Sequence, residues 1–394
     1  MKSKINIIQV IILLSVFIGL ISCQKKKAEW QGTIEEIDGV MVVKNPGEPV
    51  YGEYTFSLEE DLSLGGDPNK ENYYFPRRAS LTVDDHGNIY VLDSGNYRIQ
   101  KYDSSGNYLL SIGRQGQGPG EFQYPSNLSL DAKGNLLIFD SMTRAIKVFA
   151  QDGTYKECLN IRAFIQPQVF VSEEGFIFGW RDDYRSPDGP KMRILKLTPE
   201  NPDVETIMEF RGELKPNQTS FVLHSYSNHL AMCTVNPSAF CYGFSSEYKI
   251  YVADSRGETI RIIEKFEEPV PISKAEREAT VKDGKGIYAV IGRSQLPENG
   301  EGVVFPSHRP YFARIFADDR GRIYVLKHPS ILKREGSKEF DVFGSNGSYI
   351  YWMKLPFIPA LIKAGFLYEV RTDEETGEIT VVRHKITNWK EFNT

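Results

Sequence analysis

Short apolar segments separated by turns rich in Gly, Asn and Asp recur along most of the chain. The stretch that begins at Leu81 is matched by a second stretch 47 positions later, at Leu128, and the matching turns contain Gly87 and Gly134. In the first copy Ile89–Leu92 is an uninterrupted apolar run, which indicates a strand buried on both faces. Each copy therefore predicts four short strands, and four strands cannot cover both faces of their own sheet.

Further copies of this unit follow along the chain. Ile250–Asp254 repeats Ile89–Asp93, and Asp318–Val325 repeats Asp84–Val91. An X-Pro step precedes the first strand of each unit, because proline favours an extended backbone and lacks the N–H that a central strand needs. These steps are Pro76, Pro125, Pro167, Pro237, Pro310 and Pro359. Six such steps predict an all-β, six-bladed β-propeller with four-stranded blades.

The two ends of the chain must meet for such a ring to close. The C-terminal part has only two good strand patterns, Gly365–Val370 and Glu378–Lys385, whereas Gly39–Val43 and Tyr54–Leu58 are spare strand patterns before the first blade. We therefore expect an N-terminal strand to complete the last blade and to remove its exposed edge. The propeller would occupy residues 39–394 as one domain, with inserts near residues 181–193, 211–235 and 264–305.

The first 22 residues have the pattern of a secretory signal. Two lysines precede the apolar run Ile7–Leu20, which is short for a membrane span. The ending Leu20–Cys23 resembles a bacterial lipobox, which implies that Cys23 is lipidated and that residues 23–38 link the lipid to the propeller. An ordinary secretory signal with a chance cysteine is the alternative. The implied location is the bacterial cell envelope, and Gln24 favours the outer membrane, facing the periplasm or the exterior.

The net charge and the cysteine spacing limit the classes of partner and metal that we expect for this protein. A net charge of −5 and a pI near 5.8 give no basic face for nucleic acid. Cys158, Cys233 and Cys241 show no zinc-type spacing. A Cys233–Cys241 disulfide is one alternative in an oxidising compartment, whereas Cys158, on a strand pattern, is expected to be buried.

Two local patterns resemble a known repeat. The units Gly87–Asp93 and Arg98–Asp103 resemble the NHL repeat, and the chain as a whole resembles the six-bladed propeller lipoproteins of bacterial envelopes. The Gly-rich segment Gly113–Phe122 is similar to a recurrent segment of that group. The resemblance implies a fold and a location. NHL-type propellers include RNA binders, protein-interaction modules and a lyase, so it implies no single activity.

In propellers, ligands usually occupy the mouth of the central channel, on the face where the first strand of each blade begins and the second ends. Polar residues expected on that face could hold an anionic or saccharide-like ligand. The candidates are Arg77, Arg78, Asn127, Arg181, His308, Arg309 and His328. The repeated carboxylates Asp93, Asp140 and Asp254 could bind calcium, but turns that cap the strand ends explain them without a metal.

The sequence contains no recognisable catalytic set. The histidines do not recur at strand ends, and no serine lies in a nucleophile elbow. We therefore predict a lipid-anchored envelope propeller that acts as a ligand-binding, protein-binding or scaffold module, without a cofactor. The alternative is a metal-dependent hydrolase or lyase with its site in the channel. The expected partners are the membrane, through Cys23, and an unidentified protein, small-molecule or glycan ligand.

Overall fold

A computed structural model shows an all-β, six-bladed propeller, whose six blade sheets are mostly four-stranded, and one further two-stranded sheet. It describes residues 29–163, 170–184, 186, 189–197, 204–212, 221–291, 303–333 and 336–392. The predicted signal segment, Cys23 and Pro167 lie outside these residues. The predicted fold class is confirmed.

The first three blades each contain four consecutive antiparallel strands. Blade 1 consists of Ala79–Val83, Ile89–Asp93, Arg98–Tyr102 and Tyr108–Ile112. Blade 2 consists of Pro125–Leu130, Leu136–Asp140, Ala145–Phe149 and Tyr155–Asn160. Blade 3 consists of Phe170–Val171, Ile177–Asp183, Lys191–Leu197 and Val204–Arg211.

The last three blades incorporate strands from the N-terminal part of the chain. Blade 4 consists of Leu230–Asn236, Ala239–Phe244, Lys249–Asp254 and Thr259–Lys265. Blade 5 consists of Phe312–Ala317, Ile323–Lys327, Lys338–Phe343 and Tyr349–Leu355. Blade 6 consists of Leu361–Lys363, Phe366–Thr372 and Ile379–Ile386, followed in the sheet by Leu58–Gly65.

The N-terminal segment runs along the outer edges of three blades. Val40–Asn45 pairs in parallel with the last strand of blade 4. Thr33–Ile37 pairs antiparallel with Val40–Asn45, so these two strands form a hairpin. Glu53–Tyr54 pairs with the last strand of blade 5, and Leu58–Gly65 pairs antiparallel with the last strand of blade 6. Residues 33–37, which the sequence predicts to be part of the link between lipid and propeller, form a strand instead. Their backbone pairs with the adjacent strand Val40–Asn45.

Alternating side chains of one strand pack against different blades, which explains why the repeat is apolar on both faces. In blade 1, Ile89 and Val91 pack with Val381 of blade 6. Tyr90 and Leu92 point the other way and pack with Ile138 of blade 2 and its neighbours. Successive side chains of a strand point to opposite faces of the sheet. The uninterrupted apolar run is thus the sequence mark of a sheet enclosed between two neighbours.

Blade 4 differs from the prediction in its register. Pro237 was expected to precede the first strand, but it lies in the turn between the first and second strands. Lys249–Asp254 is the third strand, not the second, so Asp254 lies at the opposite face from Asp93 and Asp140. The error has a physical cause, because the third strands of these blades are also enclosed and carry similar apolar runs.

Two inserts adjoin blade 4. Phe221–His224 precedes the blade and pairs with Ile287–Ile291, which follows it, so the inserts form a two-stranded sheet. Between them, helix α1 spans Lys274–Asp283. Blade 3 has no separate insert near 181–193 among its described residues; its second and third strands are simply longer. Short 3₁₀ segments occur at Glu71–Tyr73 and Trp389–Glu391.

A buried arginine fixes the C-terminal segment to blade 5. The Arg322 side chain is fully buried, and its Nε lies 2.7 Å from Asp318 Oδ2. Its Nη1 donates to the Phe392 carbonyl at 3.0 Å, and the guanidinium lies over the rings of Phe392 and Trp389. Because both charges are buried, each depends on the other for compensation.

We expect Arg322→Met to destabilise the protein by about 3–5 kcal/mol, since it leaves Asp318 as an uncompensated buried charge. Lys363→Met is the matched control, because Lys363 pairs with the exposed Asp85 and should cost less than about 1 kcal/mol. Urea unfolding followed by circular dichroism measures both. Equal losses in the two variants would contradict this role of Arg322.

Candidate functional site

A cavity of about 700 Å³ opens on the face where the first strands of the blades begin, which we call the mouth face. Its wall combines the loop after the second strand of blade 5 with residues of the two inserts. We call it the mouth cavity. Its described polar lining residues are Ser225, Tyr288, Arg309, Lys327, His328, Ser330, Lys333, Ser337, Lys338 and Glu339.

Glu276 on helix α1 centres the hydrogen-bond network behind this cavity. Its Oε1 accepts hydrogen bonds from Tyr226 Oη at 2.6 Å and Ser330 Oγ at 2.5 Å, and lies 2.7 Å from Arg309 Nη2. Its Oε2 accepts from the backbone N–H and the hydroxyl of Ser273, which completes the capping box of the helix. Burial alone would raise the pKa of Glu276, but these hydrogen bonds, that of Ser330 foremost, outweigh burial and lower the pKa to about 2.

His328 lines the same cavity in its neutral form. Its Nε2–H donates to the Ser225 carbonyl at 2.6 Å, and burial lowers the pKa of His328 to about 4. The Nδ1 of His328 and the Nε of Arg309 are buried, and neither has a hydrogen-bond partner in the described part of the chain. Such unmet groups cost about 1–3 kcal/mol each. A bound group or water that reached them would stabilise the site.

The described lining of the mouth cavity carries more positive than negative side chains. Arg309, Lys327, Lys333 and Lys338 are its cations, and Glu339 is its carboxylate. Two of the cations pair with carboxylates behind the cavity, Arg309 with Glu276 and Lys327 with Glu267 at 2.6 Å. The excess of positive side chains in the described lining favours ligands with an anionic group.

The structure brings together some of the sequence-predicted candidates. Arg309 and His328 both line the mouth cavity. His308 adjoins them: its Nδ1–H donates to the Arg309 carbonyl at 2.7 Å, and its ring packs on Tyr311. Asn127 lines a second cavity deeper in the channel.

Other candidates lie apart from these cavities. Arg77 and Arg78 are exposed before the first strand of blade 1. Arg181 lies in the second strand of blade 3, opposite Arg193. None of the three lines the mouth cavity or the second cavity. Because the blades differ in length and in their inserts, side chains on the same face of the propeller do not all reach one site.

The repeated carboxylates serve turns and ion pairs. Asp93 is buried and accepts hydrogen bonds from Asn96 and from Arg98 Nε at 3.2 Å. Asp140 accepts from backbone N–H groups on both sides and lies 3.4 Å from Lys147 Nζ. Asp254 caps the turn after the third strand of blade 4, at the opposite face. Among the described residues, no group of three or more His, Cys, Asp or Glu side chains could hold a metal.

The sequence did not reveal the network behind the mouth cavity. The capping box of Ser273 and Glu276 correctly indicates the start of helix α1. It does not indicate that Glu276 is buried against Tyr226 and Ser330, since those residues come from distant parts of the chain. The capping signal describes local geometry only.

The cysteines differ in environment. Cys233 and Cys241 are direct partners in adjacent strands of blade 4, with free thiols whose sulfur atoms lie 3.2 Å apart. Cys158 is exposed, contrary to the expectation of burial. It lies in the fourth strand of blade 2, and that outer strand has no further strand to cover it.

The ring of sheets and the mouth cavity define a β-propeller with a polar cavity at the end of its channel. The family described as DUF5128, 6-bladed beta-propeller, matches residues 79–286, more than half of the chain. The protein belongs to this family. Among the described residues, no helix is long and apolar enough to cross a membrane.

Relatives share the repeat but only part of their length. NHL repeat-containing protein 3 of Mus musculus is 28% identical over 144 residues, which cover 31% of this chain and 42% of the relative. The Homo sapiens protein of the same name is 32% identical over 92 residues, which cover 21% of this chain and 26% of that protein. A solved structure from Bacteroides fragilis superposes with a TM-score of 0.50 at 11% identity, covering 88% of this chain and 99% of that one, which shows the fold alone.

We expect Glu276→Gln to destabilise the protein by about 2–3 kcal/mol, because it removes the charge that compensates Arg309. Glu278→Gln is the matched control on the same helix, where the carboxylate is half exposed and only 4.0 Å from two lysines. Chemical unfolding at pH 7 compares the two variants. A loss in E276Q no greater than that in E278Q would contradict the proposed network.

His328 should make stability depend on pH. Its folded pKa of about 4 lies below the unfolded value of about 6.5, so the unfolded chain takes up the proton first as the pH falls. Stability should therefore decrease from about pH 6.5 to about pH 4. In His328→Gln, the decrease in melting temperature over this range should be smaller than in the wild type. The same decrease in both proteins would show that His328 is not responsible.

Proposed function

We propose that this protein is a binding module whose ligand occupies the mouth cavity. The observation that carries the proposal is a cavity of about 700 Å³ with a positively biased polar lining at the end of the channel. Its volume lies within the range of small-molecule sites, which is roughly 300–1,000 Å³. Tyr288 and Ile358 add apolar surface on which a sugar ring or similar group could pack.

The chemistry of the lining favours an anionic saccharide or a related polyhydroxylated acid. Lys333 and Lys338 could pair with a carboxylate, and the hydroxyls of Ser330 and Ser337 could exchange hydrogen bonds with ligand hydroxyls. The rigid network of Glu276 holds the back of the cavity in place before a ligand arrives. Such preorganisation reduces the entropy cost of binding.

The alternative function, a metal-dependent hydrolase or lyase in the channel, requires three or more converging metal-binding side chains. The described residues contain no such group, so the geometry favours binding. The short matches to NHL repeat-containing proteins agree with a repeat that serves as a scaffold.

Binding can be tested with glucuronate, galacturonate and their short oligomers, using calorimetry and thermal shift. We expect at least one probe to bind with a dissociation constant below about 1 mM. The double variant Lys333→Met/Lys338→Met should bind it roughly tenfold more weakly, since each exposed ion pair contributes up to about 1 kcal/mol.

The matched control is Arg77→Met/Arg78→Met, which removes two positive charges from the same face but outside the cavity. It should leave the affinity for the probe unchanged. Failure of the wild type to bind any of the probes, or equal weakening in the two double variants, would contradict the proposed site.

We also propose that the protein is a lipoprotein of the bacterial cell envelope, anchored through Cys23. The support is the signal pattern followed by the lipobox-like ending Leu20–Cys23. In a bacterial host, Cys23→Ala should abolish incorporation of radioactive palmitate and release the protein from the membrane fraction. Retention of label in C23A would show that Cys23 is not the lipidated residue.

A further inference from the structure

A second cavity, of about 420 Å³, lies inside the channel. We call it the channel cavity. Its wall consists mainly of the first strands of blades 1, 2, 4 and 5, together with residues just before and within blade 6. Its polar described lining residues are Ser80, Asn127, Ser129, Cys233, Thr234 and Arg314. Ile358 lines both this cavity and the mouth cavity, so the two adjoin.

Arg314 is the only charged side chain in the described lining of the channel cavity. It lies in the first strand of blade 5, and its side chain is exposed within the channel. Among the described residues it has no hydrogen-bond or ion-pair partner. The segment 164–169, which leads to the first strand of blade 3, contains no Asp or Glu in its sequence.

Four arginines that are more deeply buried than Arg314 each have a carboxylate within 3.2 Å. They are Arg98 with Asp93, Arg309 with Glu276, Arg322 with Asp318 and Arg383 with Asp61. Arg314 has no such partner among the described residues, and its side chain is exposed within the channel. Its guanidinium donors are therefore available to a ligand in the channel cavity.

We propose that Arg314 binds a small oxyanion inside the channel, namely a carboxylate, phosphate or sulfate group. A guanidinium offers two parallel N–H donors, which match two oxygens of such a group. Hydroxyls of Ser80 and Thr234 line the same cavity, and the Ser80 hydroxyl is a buried group without a hydrogen-bond partner among the described residues. This site uses different residues from the mouth cavity and does not depend on a ligand there.

The charges at the two ends of the channel favour access from the mouth face. The mouth cavity carries a positive bias, whereas the cavity at the opposite end is lined by Asp84, Asp85 and Asp131, with Lys363 paired to Asp85. An anion is attracted towards the first end and repelled from the second. The channel thus directs small anions from the mouth face to Arg314.

The test uses acetate, citrate, phosphate and sulfate as probes, with chloride at equal ionic strength as the reference. Thermal shift and calorimetry on the wild type should show stabilisation by at least one probe beyond that by chloride, as mass action requires of a ligand that binds the folded state. Arg314→Met should weaken that binding at least tenfold. Arg78→Met, the matched control, should bind like the wild type.

Two further variants separate the explanations. Arg314→Lys keeps the charge without the paired donors and should bind with intermediate affinity, which tests the site even if the methionine variant folds poorly. Lys333→Met/Lys338→Met should retain small-anion binding, so a failure of the mouth cavity is distinguishable from a failure here. Without added anion, R314M should melt at about the same temperature as the wild type, because Arg314 is exposed and has no partner among the described residues.

The outcomes identify the anion or reject the site. Stabilisation by phosphate and sulfate alone would identify a tetrahedral oxyanion as the ligand, and stabilisation by acetate and citrate alone would identify a carboxylate. No stabilisation of the wild type beyond chloride, or equal stabilisation of the wild type and R314M, would overturn the proposal.

Discussion

The packing of blade against blade is the constraint on which the rest of the structure depends. Each sheet is apolar on both faces, so neither face can be covered except by a neighbouring blade. The second strand of blade 1 shows this directly, since Ile89 and Val91 pack towards blade 6 while Tyr90 and Leu92 pack towards blade 2. The N-terminal strands then lie along blades 4, 5 and 6, where they pair with outer strands that would otherwise be exposed edges.

Several charges buried by this packing are paired with charges of opposite sign. Arg322 with Asp318, Lys265 with Asp341, and Arg309 with Glu276 are all buried or nearly so, and each pair has further hydrogen bonds. Tyr248 and Tyr349, for example, both donate to Asp341 at 2.6 Å. These pairs fix loops and inserts relative to the sheets. Arg314, by contrast, is exposed within the channel cavity and has no carboxylate partner among the described residues.

The sequence predicted the fold well because the repeat reports a physical requirement. An apolar run, a glycine turn and a second apolar run at fixed spacing imply enclosed strands, and the six blades follow from counting them. The predicted order of strands in blade 4 was wrong, because second and third strands are both enclosed between neighbouring blades. Lys249–Asp254 therefore has the apolar pattern of a second strand, although it is the third. Pro237, in a turn, then appeared to mark the start of the blade.

The candidate site was harder to predict, since it depends on contacts between distant segments. Arg309 and His328 do meet at the mouth cavity, whereas Arg77, Arg78 and Arg181 lie apart from it. The sequence does not indicate Arg314 as a site residue, because a single arginine within a strand pattern is typical of the exposed face of an alternating sheet. Only the ring places that position in the channel, in a cavity whose described lining contains no carboxylate.

One measurement tests most directly whether the channel is an anion-binding site. Crystals of the protein grown with selenate, measured at the selenium absorption edge, locate bound oxyanions by their anomalous signal. We expect a peak within the channel cavity, at hydrogen-bonding distance from the Arg314 guanidinium. A channel without such a peak, with Arg314 paired to a protein carboxylate, would contradict the account.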